Sequence, residues 1–158
     1  MKLEQTADGS YTLYVPELDE HYHSVKGALT ESQHIFIEMG LKHSPVSEPH
    51  ILEIGLGTGL NAFLTLLSAE ETRRKVHYTG IERYPLAEET LKQLDYPRLI
   101  GKQHEEDYYA IHRAPWNTET EVSPWFTLHK IEDVLLPGFS NPEEGQPSRR
   151  SLIRYHLL

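Results

Sequence analysis

The sequence predicts an α/β fold built on a doubly wound, largely parallel sheet, and three observations carry that prediction. A short apolar run at residues 51–54 ends in three closely spaced glycines, Gly55, Gly57 and Gly59. Leu60, Phe63, Leu64 and Leu67 then recur at helical intervals on a helix running to about Arg73. Residues 76–81 follow as a second buried strand that ends on an acid, Glu82. Strand, glycine turn, helix, strand and terminal acid make one βαβ unit, the arrangement in which an α/β sheet holds a nucleotide-like ligand. Glycine suits such a loop because a Cβ obstructs both the positive-φ turn and the approach of a ligand to the backbone. An acid roughly 20 residues past the glycines, at the end of the second strand, is placed to accept both hydroxyls of a ribose.

The other elements follow in chain order. Asp8-Gly9 is a turn signal, and residues 10–15 alternate polar and apolar like a short strand closed by Pro16. Residues 19–27 are polar and irregular. Thr30 and Gln33 have the spacing of a capping box for a helix through about Met39, with Ile35, Phe36 and Met39 on its apolar side and Gly40 as its stop. Residues 44–49 contain two prolines and read as a linker. Pro85 suits a first helical turn, with Leu86, Leu91 and Leu94 as that helix's stripe. Between residues 95 and 125 the pattern is weak: 104–112 has helical character and 114–124 reads as loop. Residues 126–131 alternate as a third strand, ended by Glu132 and Asp133, and 141–145 is loop.

Length and composition set outer bounds. At 158 residues the chain has single-domain length, enough for a hydrophobic core. It has no cysteine, which excludes disulfides, thiolate metal sites and cysteine nucleophiles. His21 and His23 lie two apart with Glu20 beside them, but without a third ligand they read as surface or packing residues, so no metal is expected. The cluster His104-Glu-Glu-Asp107 reads as a solvated helix face. No apolar run approaches membrane-spanning length, and a soluble, cytoplasmic protein with no membrane partner is expected. The formal charge of −9 argues against a broad basic surface for nucleic acid, though not against a small basic patch. The charge is unevenly placed: residues 145–158 carry Arg149, Arg150 and Arg154 and no acid, leaving −12 on the first 144.

Spacing within the glycine loop narrows the ligand. A dinucleotide fingerprint places its third glycine at position 60, which is Leu60 here. The observed Gly-x-Gly-x-Gly, preceded by Glu53, resembles the S-adenosylmethionine loop of class I (Rossmann-like) methyltransferases. Further segments make the resemblance more specific: Asp8-Gly-Ser10, Tyr22-His-Ser24, Gly27-Ala28, Glu31-Ser32, His34-Ile-Phe-Ile37, Gly40-Leu41, the stretch 51–67 with its Gly-Thr-Gly-Leu-Asn61, and Ile81-Glu-Arg-Tyr-Pro-Leu86. On these residues the chain resembles the MnmC-like methyltransferase family, over roughly residues 8–140. The resemblance implies transfer of a methyl group from S-adenosylmethionine to an aminomethyl amine on C5 of a tRNA wobble uridine. It implies a cofactor set of Glu53, Gly55, Gly57, Gly59, Asn61, Glu82 and Asp133. In that set Glu82 holds the ribose, Asp133 the adenine amino group, and Glu53 helps to order the loop and the methionyl group. Glu31 and Ser32 approach the methionyl end or, alternatively, serve the helix. Tyr22 and Tyr84 stack on adenine or the target base, or belong to the core and rim. No catalytic base can be named. Some family members carry an FAD-dependent oxidoreductase domain, for which 158 residues leave no room.

On this reading, residues 1–48 are an N-terminal strand-and-helix extension. Residues 49–144 are the S-adenosylmethionine-binding N-terminal half of the doubly wound sheet, and 145–158 are an atypical tail. The family's fourth strand, which ends in Asp with a nearby Pro, has no counterpart in the tail. Its loss would expose the edge of the strand that carries the glycine loop. Charge reversal, missing strand and early stop together suggest a tail read out of frame; the alternative is a natural short C-terminus. A different class of answer is a non-catalytic interaction protein that keeps the glycine loop as structure.

Overall fold

A computed structural model describes residues 1–132 and the short strand His156–Leu157. Asp133 and the rest of the tail lie outside the described residues. The central sheet contains β4 (His50–Ile54), β5 (Val76–Glu82), β6 (Glu119–Ser123), β7 (Phe126–Glu132) and β8 (His156–Leu157), in the order β6-β7-β5-β4-β8. β4, β5 and β7 are parallel, β6 forms an antiparallel hairpin with β7, and β8 runs antiparallel to β4. The outer edge of β4 is therefore paired at Leu52 and Glu53 by an antiparallel strand, not by a parallel fourth strand.

β5 alternates strictly between buried and half-buried residues, as a strand with one face on the core must. Helix α2 (Leu60–Thr72) packs on that face. Its stretch from Leu60 to Ala69 is buried nearly all round, Asn61, Thr65 and Ser68 included, and Leu66, outside the expected stripe, is as buried as Phe63. Such a helix is stable only when enclosed, and the N-terminal unit encloses it. That unit comprises β1 (Lys2–Gln5), β2 (Tyr11–Val15) and β3 (Glu20–His21) in a small antiparallel sheet. α1 (Ala28–Glu31) then continues into a π-helical stretch, Ser32–Gly40. Leu13, Phe36 and Ile37 share one core with Leu60, Phe63 and Tyr78. The Arg74 guanidinium fixes the linker by donating to the carbonyls of Leu41, Ser44 and Val46.

Three expectations require correction. The capping box does not form: Thr30 lies inside a helix that starts at Ala28, and its N–H and hydroxyl both donate to Asp8 instead. The helix after Pro85, α3 (Glu88–Leu94), starts later than expected. The Glu82 carboxylate takes the N–H groups of Arg83 and Tyr84 and holds them in a turn, and a residue before proline resists helix in any case. Residues 119–123 are not loop but strand β6. Glu119 and Glu121 are exposed and Val122 is its one large apolar residue, so pairing with β7 defines it more than burial does. A short helix, α4 (Tyr96–Ile100), has Pro97 in its first turn, and α5 (Glu105–Arg113) follows.

Candidate functional site

The parallel strands end at one edge of the sheet, and the glycine loop lies there between β4 and α2. Gly55, Gly57 and Gly59 all have positive φ (86°, 54° and 72°), which accounts for the residue type at each. The N–H groups of Gly55 and Leu56 both donate to the Ile81 carbonyl at the end of β5. Glu82, 8% exposed, closes the loop: its Oε2 accepts the Gly57 N–H at 2.8 Å. Its Oε1 accepts the N–H groups of Arg83 and Tyr84 at 2.9 and 2.8 Å. A carboxylate has about four lone-pair directions, so one remains for a further donor.

Glu53 and Asn61 meet beneath the loop. Buried Glu53 accepts the Tyr78 hydroxyl at 2.6 Å and the Asn61 amide at 2.9 Å. The Asn61 Oδ1 is buried with no hydrogen-bond partner among the described residues. Such an atom costs about 1–3 kcal/mol unless something donates to it. Asn61 also lines a cavity of about 240 Å³ together with Tyr22, His23, Glu31, Ser32 and Phe36. Glu31 and Ser32 thus face the loop's side of the molecule, and Glu31 also accepts the Ser24 N–H at 2.9 Å. Tyr84 is half exposed at the rim with the Arg83 guanidinium over its ring. A larger cavity, about 380 Å³, lies along α2 between Ile37, Leu64 and His104 and touches no residue of the loop.

Several residues that hold the loop were not anticipated. The His23 imidazole pairs with the Thr58 hydroxyl at 2.8 Å, and the Tyr108 hydroxyl donates to the Thr58 carbonyl at 3.1 Å. The His112 ring fills the space that a Cβ on Gly59 would need, with its Cε1 and Nε2 both 2.8 Å from that position. Gly59 therefore accommodates a protein side chain, and its lack of Cβ does not depend on a ligand. The His112 Nε2 is buried without a partner among the described residues. Burial, with the nearby Lys130 charge, lowers the His112 pKa to about 4, partly opposed by a hydrogen bond to the Thr58 backbone. Lys130 is buried on β7; its Nζ donates to the His112 carbonyl at 2.6 Å and lies over the Trp116 ring, and burial lowers its pKa to about 8. One sequence signal could have found Lys130: it lies in alternation with Phe126 and Leu128, on the face of the third strand that is buried. Among the described residues no three of His, Asp and Glu converge as a metal site, and no helix is long and apolar enough to cross a membrane.

No family profile matches the chain. It is 33% identical over 134 residues to the tRNA 5-methylaminomethyl-2-thiouridine biosynthesis bifunctional protein MnmC of Burkholderia mallei, covering 80% of this chain and 18% of that one. The protein of the same name from Magnetococcus marinus is 34% identical over 94 residues, 54% of this chain and 14% of the relative. The crystal structure of MNMC2 from Aquifex aeolicus has the same fold, with a TM-score of 0.59 at 24% identity, over 84% of this chain and 42% of that one. The chain thus spans less than a fifth of these curated relatives and under half of the solved chain. Its sequence match to relatives of a single name and its Rossmann-like architecture place the chain in the MnmC-like family.

Proposed function

We propose that the chain carries the cofactor-binding part of an S-adenosylmethionine-dependent methyltransferase that N-methylates the aminomethyl group on C5 of a tRNA wobble uridine. The observation that carries this reading is Asn61, a buried acceptor without a partner on the wall of a cavity beside the glycine loop. An ammonium such as the methionyl head group supplies the missing donor, and Glu31 on the same wall adds a complementary charge. The positive-φ glycines bring the backbone close to the ligand, Glu82 offers its remaining lone pair to the ribose, and Asp133 is assigned to adenine. Glu53 orients Asn61 through the bond to its amide.

When bound, the cofactor supplies an electrophilic methyl group on a sulfonium that departs uncharged. The chain's own task is then alignment, which can contribute ~7–11 kcal/mol to lowering a barrier. The acceptor amine must be neutral, and no described side chain is assigned as its base.

Calorimetric titration of the purified chain with S-adenosylmethionine tests the reading, with circular dichroism as a check of folding. Saturable binding is expected, weakened roughly tenfold or more by Asn61→Leu, which removes the acceptor. A folded chain that gives no saturable heat would remove this activity and leave the non-catalytic interaction module as the better reading.

A further inference from the structure

Between Gly55 and Gly59 only Leu56 and Thr58 have side chains by which the loop can be held. Leu56 places its Cδ1 2.8 Å from where a Cβ on Gly80 would stand, so it occupies the gap that this glycine leaves in β5. Thr58 is fully buried between Gly57 and Gly59, both of positive φ. A β-branched side chain has few rotamers open to it, whereas its glycine neighbours have no such restriction. A partner that fixes the Thr58 hydroxyl therefore fixes the backbone in the middle of the loop. That partner is the His23 imidazole, whose Nε2 lies 2.8 Å from the hydroxyl oxygen and 35 residues away in sequence.

His23 is itself fastened. The Tyr22 N–H donates to the Leu13 carbonyl at 2.9 Å, and the His23 N–H donates to the buried Thr12 hydroxyl at 2.9 Å. The Ser24 N–H goes to Glu31 at 2.9 Å, and the His23 ring meets the Tyr96 ring edge-on. A path of hydrogen bonds thus leads from β2 through His23 to the centre of the glycine loop. The same imidazole lines the cavity that holds Asn61 and Glu31. One side chain therefore borders the ligand's space and holds the loop beside it.

We propose that His23 is a positioning residue of the cofactor site. By holding Thr58 it sets the glycine loop against the cavity, and the N-terminal unit becomes a working part of the site as well as a cover for α2. The identity of the ligand rests on the S-adenosylmethionine reading above; the hold on the loop does not.

Two measurements on the full 158-residue chain test this. Amide hydrogen exchange without ligand reads the loop directly, through the N–H groups that Gly57 gives to Glu82 and Gly59 gives to the Leu56 carbonyl. In His23→Phe, which keeps a ring against Tyr96, both should exchange roughly tenfold faster, beyond any change in the amides of β7. Thr58→Val should do the same, and the double variant should add little, because either change breaks the one bond. His23→Gln, whose amide can donate or accept at about the reach of Nε2, should restore protection. Calorimetric titration with S-adenosylmethionine should then show roughly five- to tenfold weaker binding in His23→Phe and in Thr58→Val, recovered in His23→Gln. Unchanged loop exchange, additive effects of the two changes, or a loss that glutamine does not repair would overturn the proposal. If His23→Phe does not fold, Thr58→Val and His23→Gln decide the matter. A wild-type chain that binds nothing would overturn the assignment to that cofactor, and coupled exchange in the same chain would still uphold the hold of His23 on the loop.

Discussion

Gly59 is constrained twice, by a φ of 72° and by the His112 ring, and the two constraints can be separated. Gly59→Ala meets both, and His112→Ala in the same chain relieves only the second. The double variant should therefore recover stability relative to Gly59→Ala and retain a penalty of about 1–2 kcal/mol from the left-handed backbone. Urea unfolding of the four proteins measures this, and strictly additive losses would show that His112 is not the obstacle. His112 also makes stability depend on pH. Its folded pKa, about 4, lies below the unfolded value near 6.5, so the unfolded chain binds more protons between them. Stability should fall as pH drops through that window, by up to about 3 kcal/mol from this residue. Denaturant melts of wild type and His112→Gln between pH 7 and 4 should diverge accordingly; parallel curves would contradict the assignment. Glu82, Gly55 and Gly57 could be read from the sequence because their types are rare in combination and their spacing is fixed. His112 could not, since only the fold brings it to Gly59.

At the scale of elements, β4, β5, α2 and β7 were legible because each buries an apolar pattern at its own period. β6 was not, because its glutamates carry no burial signal and its partner strand defines it. The start of α1 was misread for a similar reason: its cap comes from another element. The N–H groups of Ala28, Leu29 and Thr30 are taken by Thr6, Ser10 and Asp8, on the turn that links β1 to β2. Burial raises the Asp8 pKa, but hydrogen bonds from Ser10, Thr30 and Thr6 outweigh it and hold the carboxyl well below the usual range. Asp8→Ala should cost about 1–2 kcal/mol at neutral pH. Because the folded pKa is depressed, this contribution is present above about pH 4 and is lost as pH falls below it. A cost that persists unchanged at pH 2–3, followed by thermal melting, would show that the charge has no part in the cap.

Across the whole molecule, the N-terminal unit and the sheet share one core. The sequence showed that half a doubly wound sheet was present. Which face carries the crossover helices followed only from the strand order, since handedness acts on connections and not on residues. The bond from Gly57 to Glu82 has a consequence for lineages related to this one. Three backbone groups of the chain itself, the N–H groups of Gly57, Arg83 and Tyr84, lean on that carboxylate. A descendant that ceased to bind anything would still lose its loop if it lost the acid, so selection for a folded chain is enough to keep it. The acid at the end of the second strand thus records ancestry and architecture, and a survey that counts working enzymes by it would count silent ones as well.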